Sequence, residues 1–218
     1  MKKLIFPAAM MCCLSTFVSC NSKDGGNDSA KAQAAKVENA TVAATDSAVV
    51  INNIMTRKSI RQFTSQPVEK ETLDLLVKTG MAAPSAMNKQ PWEFIVVSDK
   101  DVLNSLRENH PYSNLKTATA AIIVCGDLNK TIEGEGREYW VQDCSAATEN
   151  ILLAAHGLGL GAVWCGVYPV TERIDAVKSV LGIPDNIVPL NIITLGYPAE
   201  NPAPKDKWNP EAVHYQKW

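Results

Sequence analysis

Apolar positions along this chain change period several times, and each change marks an element. Val50, Ile51 and Ile54 recur at near-helical spacing and predict a helix from Ser47 to Thr56. Pro67-Val68-Glu69 opens a second helix with Leu73, Leu76, Val77 and Met81 on one face and Gly80 near its end. Phe94 to Val97 reads as a strand, Asp99 to Asn109 as a helix, and the unbroken apolar run Ala120 to Cys125 as a buried strand. A long helix from about Asp143 to His156 stops at Gly157-Leu158-Gly159. Ala162 to Gly166 is a strand, Thr171 caps a helix through Leu181 to Gly182, and Val188 to Leu195 is the last strand. Helices and strands alternate, which predicts an α+β fold or a three-layer sandwich.

The N-terminus follows a different logic. Met1-Lys2-Lys3 supplies a positive start, Leu4 to Val18 is a nearly continuous apolar run, and Phe17-Val18-Ser19-Cys20 reads as a bacterial lipoprotein cleavage site. Residues 1–20 are therefore expected to be a signal peptide, with Cys20 carrying the lipid. The other reading, an uncleaved transmembrane anchor, asks for a longer run. Residues 21–47 are rich in Asn, Ser, Asp, Gly and Ala and bury too little surface to offset chain entropy. They are expected to form a flexible tether spanning on the order of 30 Å. The folded domain is then residues 48–218, held at the bacterial cell envelope, on its periplasmic or surface side, through the lipid on Cys20 alone.

Composition narrows the function classes. With 218 residues and 46% hydrophobic content the chain can bury one full core. A net charge of −2 provides no global basic field for nucleic acid. Cys125, Cys144 and Cys165 lie in apolar contexts and read as buried thiols rather than a bridge. His110, His156 and His214 are far apart, and no spacing matches a metal site.

Four motifs carry the candidate chemistry. Arg57-Lys58-Ser59-Ile60-Arg61 packs cations and a hydroxyl into five residues, the donors a phosphate dianion requires. It follows a helix C-terminus, so side-chain charge and not a helix dipole must supply the attraction. Pro84-Ser85-Ala86-Met87-Asn88 belongs to a loop of small residues and amides that leads through Pro91-Trp92 into a strand, a shape that can bring backbone groups close to a flat heterocycle. Gly157-Leu158-Gly159-Leu160-Gly161 precedes a strand instead of opening a helix, the wrong context for a dinucleotide fingerprint; by itself it is a helix stop and a turn. It continues into Ala162-Val163-Trp164-Cys165-Gly166. Lys205 and Lys207 end a proline-rich turn that begins at Gly196-Tyr197-Pro198, and alone would be a solvated loop.

In this order and spacing, across residues 57 to 207, the four motifs resemble those of the nitroreductase family of flavin enzymes. The resemblance implies a three-layer α-β-α sandwich that works as a homodimer with FMN at the subunit interface. It places Arg57, Lys58, Ser59 and Arg61 at the phosphate and ribityl end, joined by Lys205 and Lys207. Pro84, Ser85, Ala86, Met87 and Asn88 would edge the ring, some reaching the partner's flavin. Trp164, Cys165 and Gly166 would lie beside the isoalloxazine, although their side chains equally suit a core, and Lys116 or Asn114 would contact the ring carbonyl. The implied activity is reduction of nitro compounds, quinones or a related small acceptor through the flavin, with NAD(P)H as donor and no catalytic side chain. An exported lipoprotein meets little NAD(P)H, so either the donor there differs or the export reading fails. The alternative is a non-catalytic flavin-binding or scaffold lipoprotein. The connection between Cys125 and Asp143 is short, which predicts an open pocket, with Glu133, Arg137, Tyr139 and Trp140 as either substrate contacts or a plain surface loop.

Overall fold

The apolar run that begins at Ala120 is a strand buried at every position, and the other elements are arranged to cover it. The computed structural model describes residues 46–218; the segment read as a signal peptide with Cys20, and the tether up to residue 45, lie outside the described residues. In chain order the elements are α1 (46–56), α2 (Lys70–Met81), β1 (Trp92–Val97), α3 (Lys100–Asn109), β2 (Ala120–Asp127), α4 (Tyr139–Gly157), β3 (Gly161–Gly166), α5 (Thr171–Leu181) and β4 (Ile187–Gly196). The strands form one antiparallel sheet in the order β1-β2-β4-β3.

Each face of the sheet has its own helical layer. Ala120, Ile122, Val124, Ile193 and Leu195 pack against Leu73 and Leu76 of α2 and against Cys144, Ala147, Ile151 and Ala155 of α4. Ala121, Ile123, Cys125, Cys165 and Ile192 face the other way, onto Leu103 and Leu106 of α3 and Val177 of α5. A strand covered on both faces has no reason to alternate apolar and polar residues, which is why β2 reads as a continuous run. The three-layer α-β-α sandwich is the observed architecture.

Local chemistry sets the ends of the helices. The Asp99 side chain accepts hydrogen bonds from the backbone N–H groups of Asp101 and Val102, an N-cap worth about 1 kcal/mol. Gly159, at φ +76°, turns the chain out of α4, and Gly182, at φ +65°, closes α5. Thr171 does not cap α5: the cap position belongs to Val170, and no side-chain bond is made there.

Helix α4 starts at Tyr139, earlier than the apolar period suggests, because Trp140 is a core residue. Its ring lies so close to β2 that a Cβ added at Gly126 would sit 2.3 Å from Trp140 Cε3. Trp140 also meets Tyr168 edge-on at 4.9 Å. It is therefore no substrate contact, whereas Glu133, Arg137 and Tyr139 of the same connection are exposed.

Candidate functional site at the open edge of β3

Strand β3 has β4 on one side only, and residues 57–64 cover part of its other side. Ser59 bridges Ala162 in parallel, and the Ile60 N–H donates to the Ala162 carbonyl at 3.0 Å. This contact needs a glycine: a Cβ at Gly161 would stand 2.6 Å from Ile60 Cγ2. The segment then runs along the extension of β4, where Phe63 bridges Pro198 and the Thr64 N–H donates to the Tyr197 carbonyl at 2.8 Å. Two motifs from opposite ends of the folded chain are thus joined by backbone pairing.

Two of the cations on this segment, Arg57 and Lys58, are already engaged. Arg57 Nε donates to Glu149 Oε1 at 3.1 Å, and Lys58 Nζ donates to Asn201 Oδ1 at 2.5 Å. Glu200 Oε1 accepts from the backbone N–H groups of Arg61 and Gln62, at 2.5 and 3.1 Å. Two carboxylates, Glu149 and Glu200, thus offset part of the repulsion among the cations. Ser59 is half-buried and Arg61 exposed. Lys205 and Lys207 lie on the exposed run that follows Asn201, and among the described residues neither makes an ion pair. The structure brings their segment to the cluster as far as Asn201 and no further.

Beyond Ile60 the edge of β3 is open. In a strand, successive residues turn their backbone groups to alternate sides. The Ala162 carbonyl points outward to Ile60, so Trp164 and Gly166 also turn their N–H and C=O groups outward, away from β4. Trp164 is 38% exposed there. A Cβ added at Gly166 would meet nothing within 4 Å and the residue has no positive φ, so nothing within its own chain demands a glycine. The missing side chain leaves space beside an outward N–H. Cys165 faces the opposite way, and of the two readings left open for its side chain the structure shows the core. Its thiol is buried, donates to the Ser113 carbonyl at 3.0 Å and accepts from Asn114 Nδ2 at 3.2 Å. Burial raises its pKa, with Asn114 and then Thr194 acting in the opposite sense. Burial likewise pushes the Cys125 thiol to about 12 and raises Cys144, so among the described residues all three thiols are held in the neutral, poorly nucleophilic form.

The loop at Pro84–Asn88 sits elsewhere. It leads into β1, the far edge of the sheet, with β2 and β4 between it and β3, a separation of about 14 Å. Its backbone is unusual: Met87, Asn88 and Gln90 have φ of +50°, +54° and +49°. Such conformations persist only where surrounding contacts impose them. Here Asp143 Oδ1 accepts from the Ala86 N–H at 2.8 Å, and Ser85 Oγ accepts from the Gln90 N–H at 3.0 Å. Met87, 79% exposed, is presented to the outside. Within one chain this loop and the β3 edge cannot line the same face of one ligand.

Sequence reasoning missed Asp143, Glu149, Glu200 and Asn201. Asp143 and Glu149 lie inside a predicted helix and carry no local signal; their partners are far away along the chain. Helix α4 is apolar on more than one side, and Leu152 belongs to the core with Ile151 and Ala155. The exposed apolar side chains are on α1, whose Val49, Val50, Ile51, Ile54 and Met55 are between 49% and 70% exposed. Of these, Val49, Val50 and Ile54 border an open groove of about 670 Å³ that also takes in Leu75, Leu153 and Leu158. Among the described residues no group of His, Cys, Asp and Glu side chains is arranged for a metal ion, and no helix is long and apolar enough to cross a membrane.

Comparison with known proteins gives a consistent match. The sequence model of the Nitroreductase family matches residues 54–110 and 106–197. The "Putative NADH dehydrogenase/NAD(P)H nitroreductase" of Methanothermobacter thermautotrophicus is 46% identical over 171 residues, which is 78% of this chain and 87% of that protein. The crystal structure of a protein of the same description from Bacteroides thetaiotaomicron superimposes with a TM-score of 0.73 at 45% identity, covering 78% of this chain and 98% of that one. An FMN-dependent nitroreductase from Clostridium difficile R20291 gives a TM-score of 0.70 at 31% identity, over 77% of this chain and 99% of that one.

His156 is a built-in reporter for the cation cluster. Its Nε2 lies 3.0 Å from Thr56 Oγ1, and its pKa is lowered from 6.5 by burial first and then by the charges of Lys58 and Arg57. The sign follows: stability is full above pH 6.5 and falls as the pH drops from there through the lower folded-state value. An anion settling on Arg57 and Lys58 cancels the second and third causes, so the His156 pKa must rise when a phosphate monoester binds. An imidazole NMR titration with and without saturating FMN measures this; a ring that titrates identically in both would place the phosphate elsewhere.

Proposed function

The chain belongs to the nitroreductase family, and from that premise we propose that it is an FMN-dependent oxidoreductase acting on nitro compounds, quinones or a related small acceptor. The observation that carries this reading is the open edge of β3, which continues directly from the Arg57–Arg61 segment. From Ala162, beside Ser59, to Gly166 the strand advances about 13 Å. That is the scale of an extended five-carbon chain with its phosphate and the near half of a three-ring heterocycle. A cation-and-hydroxyl cluster at one end, and outward N–H groups with an empty Cβ position at the other, fit FMN.

Each residue has a definable task. Arg57, Lys58 and Ser59 hold the phosphate through charge-assisted hydrogen bonds, and Arg61 lies at the ribityl end. Lys205 and Lys207 add charge from the segment beyond Asn201. The Gly166 N–H donates to the ring from the sheet edge, where the missing side chain permits close approach. Trp164 covers the ring's flank and excludes water. When bound, FMN supplies the redox chemistry, taking a hydride or electrons from a donor and passing them to the acceptor. The donor is NAD(P)H or, beyond the cytoplasmic membrane, another two-electron reductant. No side chain is asked to be a nucleophile, consistent with thiols held neutral by burial.

A homodimer completes the site in this reading. Pro84, Ser85, Ala86, Met87 and Asn88 stand at the edge opposite β3, so their place at a flavin is at the partner's. The exposed apolar side of α1 offers the surface that a second copy would cover. We also propose that the domain is held at the cell envelope by a lipid on Cys20.

Three outcomes are expected. Arg57→Ala weakens FMN binding about tenfold, a loss of about 1.4 kcal/mol, while riboflavin, which lacks the phosphate, binds as before. Flavin-fluorescence titrations with both ligands decide this, and equal losses for the two would show that Arg57 supports the fold instead. Sedimentation of residues 48–218 gives twice the chain mass; a monomer that holds FMN tightly would remove the shared site. Cys20→Ser releases the protein from the membrane fraction, and identical fractionation of variant and parent would end the lipid-anchor proposal.

A further inference from the structure

Gly166 has a second neighbour on the open edge of β3. Arg173, near the start of α5, donates from Nη1 to the Gly166 carbonyl at 3.1 Å. Its guanidinium lies 4.8 Å over the ring of Tyr112, on the Pro111–Ser113 turn. That turn is fastened to the same end of β3, for the Ser113 carbonyl accepts from Cys165 Sγ at 3.0 Å and from Thr194 Oγ1 at 2.5 Å.

The charge of Arg173 is spent on a carbonyl and an aromatic face. Among the described residues no carboxylate pairs with it. A half-buried guanidinium without a counter-ion is uncommon, because its field stays uncompensated in a medium of low dielectric. The field reaches nearby His110, which is buried with neither ring nitrogen well hydrogen-bonded. Burial lowers the His110 pKa most, the Gly166 backbone opposes this as the next-largest influence, and the Arg173 charge adds a smaller downward push. His110 therefore adds no charge at neutral pH, and Arg173 places a permanent positive charge on the Gly166 carbonyl.

In extended backbone the N–H and C=O of one residue point to the same side. The guanidinium on the Gly166 carbonyl is therefore beside whatever the Gly166 N–H contacts. We propose that Arg173 is a positioning residue for the redox reaction: it pins the last residue of β3 and holds a fixed positive charge beside the reducible ring. A hydride given by a reduced nicotinamide, which is oxidised in the same step, adds two electrons and one proton to the ring and leaves it one charge more negative. Arg173 stabilises that added charge. The role rests on the FMN-site reading above, and it assigns Arg173 no part in holding the phosphate, which lies at the other end of the edge.

The test uses the full-length protein loaded with FMN and reads the ratio of reduced to oxidised flavin by absorbance in a redox buffer of fixed potential. Arg173→Met removes charge and donor, Arg173→Gln keeps a donor without the charge, and Arg173→Lys keeps the charge. Removing one charge at about 7 Å, in a medium of effective dielectric about 20, changes such an equilibrium by roughly tenfold to a hundredfold. The Met and Gln variants should hold at least tenfold less reduced flavin than the parent, with FMN affinity within threefold, while the Lys variant stays near the parent. If Arg173→Met fails to fold, the Gln and Lys pair decides by the same ratio. Equal ratios in Gln, Lys and parent proteins would overturn the role of Arg173 while leaving the FMN site standing. A parent protein that takes up no FMN would remove the site reading itself, and the role of Arg173 with it, before any variant is made.

Discussion

The unpaired edge of β3 is the constraint on which the functional half of this molecule depends. An edge strand exposes N–H and C=O groups that have to be satisfied by water, by another segment or by a ligand. Here the segment around Ser59 and Ile60 satisfies the first part of the edge, and Arg173 takes the Gly166 carbonyl. Between those two contacts the outward groups of Trp164 and the Gly166 N–H are left available. A central strand could not offer them, because both its sides are committed to ladders. The same geometry orders the cation cluster: Arg57, Lys58 and Ser59 stand beside β3 because Ile60 is hydrogen-bonded to it and Gln62 and Thr64 to the segment after β4.

Charge at this edge is balanced for exchange instead of permanent neutralisation. Glu149 and Glu200 engage Arg57 and the Arg61–Gln62 backbone, which keeps the cluster ordered without an anion present. These contacts are partly exposed, so each contributes little to stability, and in the proposed FMN site they would give way to the phosphate. Such a cluster differs from a buried ion pair, whose disruption would leave an uncompensated charge in the core.

The opposite edge of the sheet has the converse property. Asp143 and Ser85 hold a loop in which Met87, Asn88 and Gln90 occupy left-handed backbone conformations, and the loop aims outward. Two edges with complementary equipment, one rich in donors and charge and one rigid and projecting, are what a two-fold pair of identical subunits can bring together. The exposed apolar side of α1 belongs to the same logic, since it has no partner within its own domain.

Most of the fold was legible along the chain. The periods of α2, the continuous burial of β2 and the glycine stops of α4 and α5 are local properties, and each predicted the element that forms. Alternation left an α+β fold or a three-layer sandwich open, and the α-β-α order was implied by the family resemblance; strands apolar on both faces need cover on both. What the chain by itself did not determine was which face or edge each residue occupies. Trp140 reads as a surface aromatic in a short connection, yet Gly126 opposite it makes room for the ring in the core. Cys165 and Gly166 are adjacent in one motif, but the two-residue period of the strand sends one side chain into the core and leaves the other position open to the outside. Glu149 and Arg173 belong to no motif and Glu200 is unmarked within the proline-rich turn; the partners of Glu149 and Glu200 lie far along the chain, and Arg173 meets Gly166 only through the turn between β3 and α5. The sequence determined the elements and the chemistry of the motifs, because those depend on near neighbours; the tertiary structure decided which groups stay unpaired at the edge of β3, because that depends on what the rest of the fold leaves uncovered.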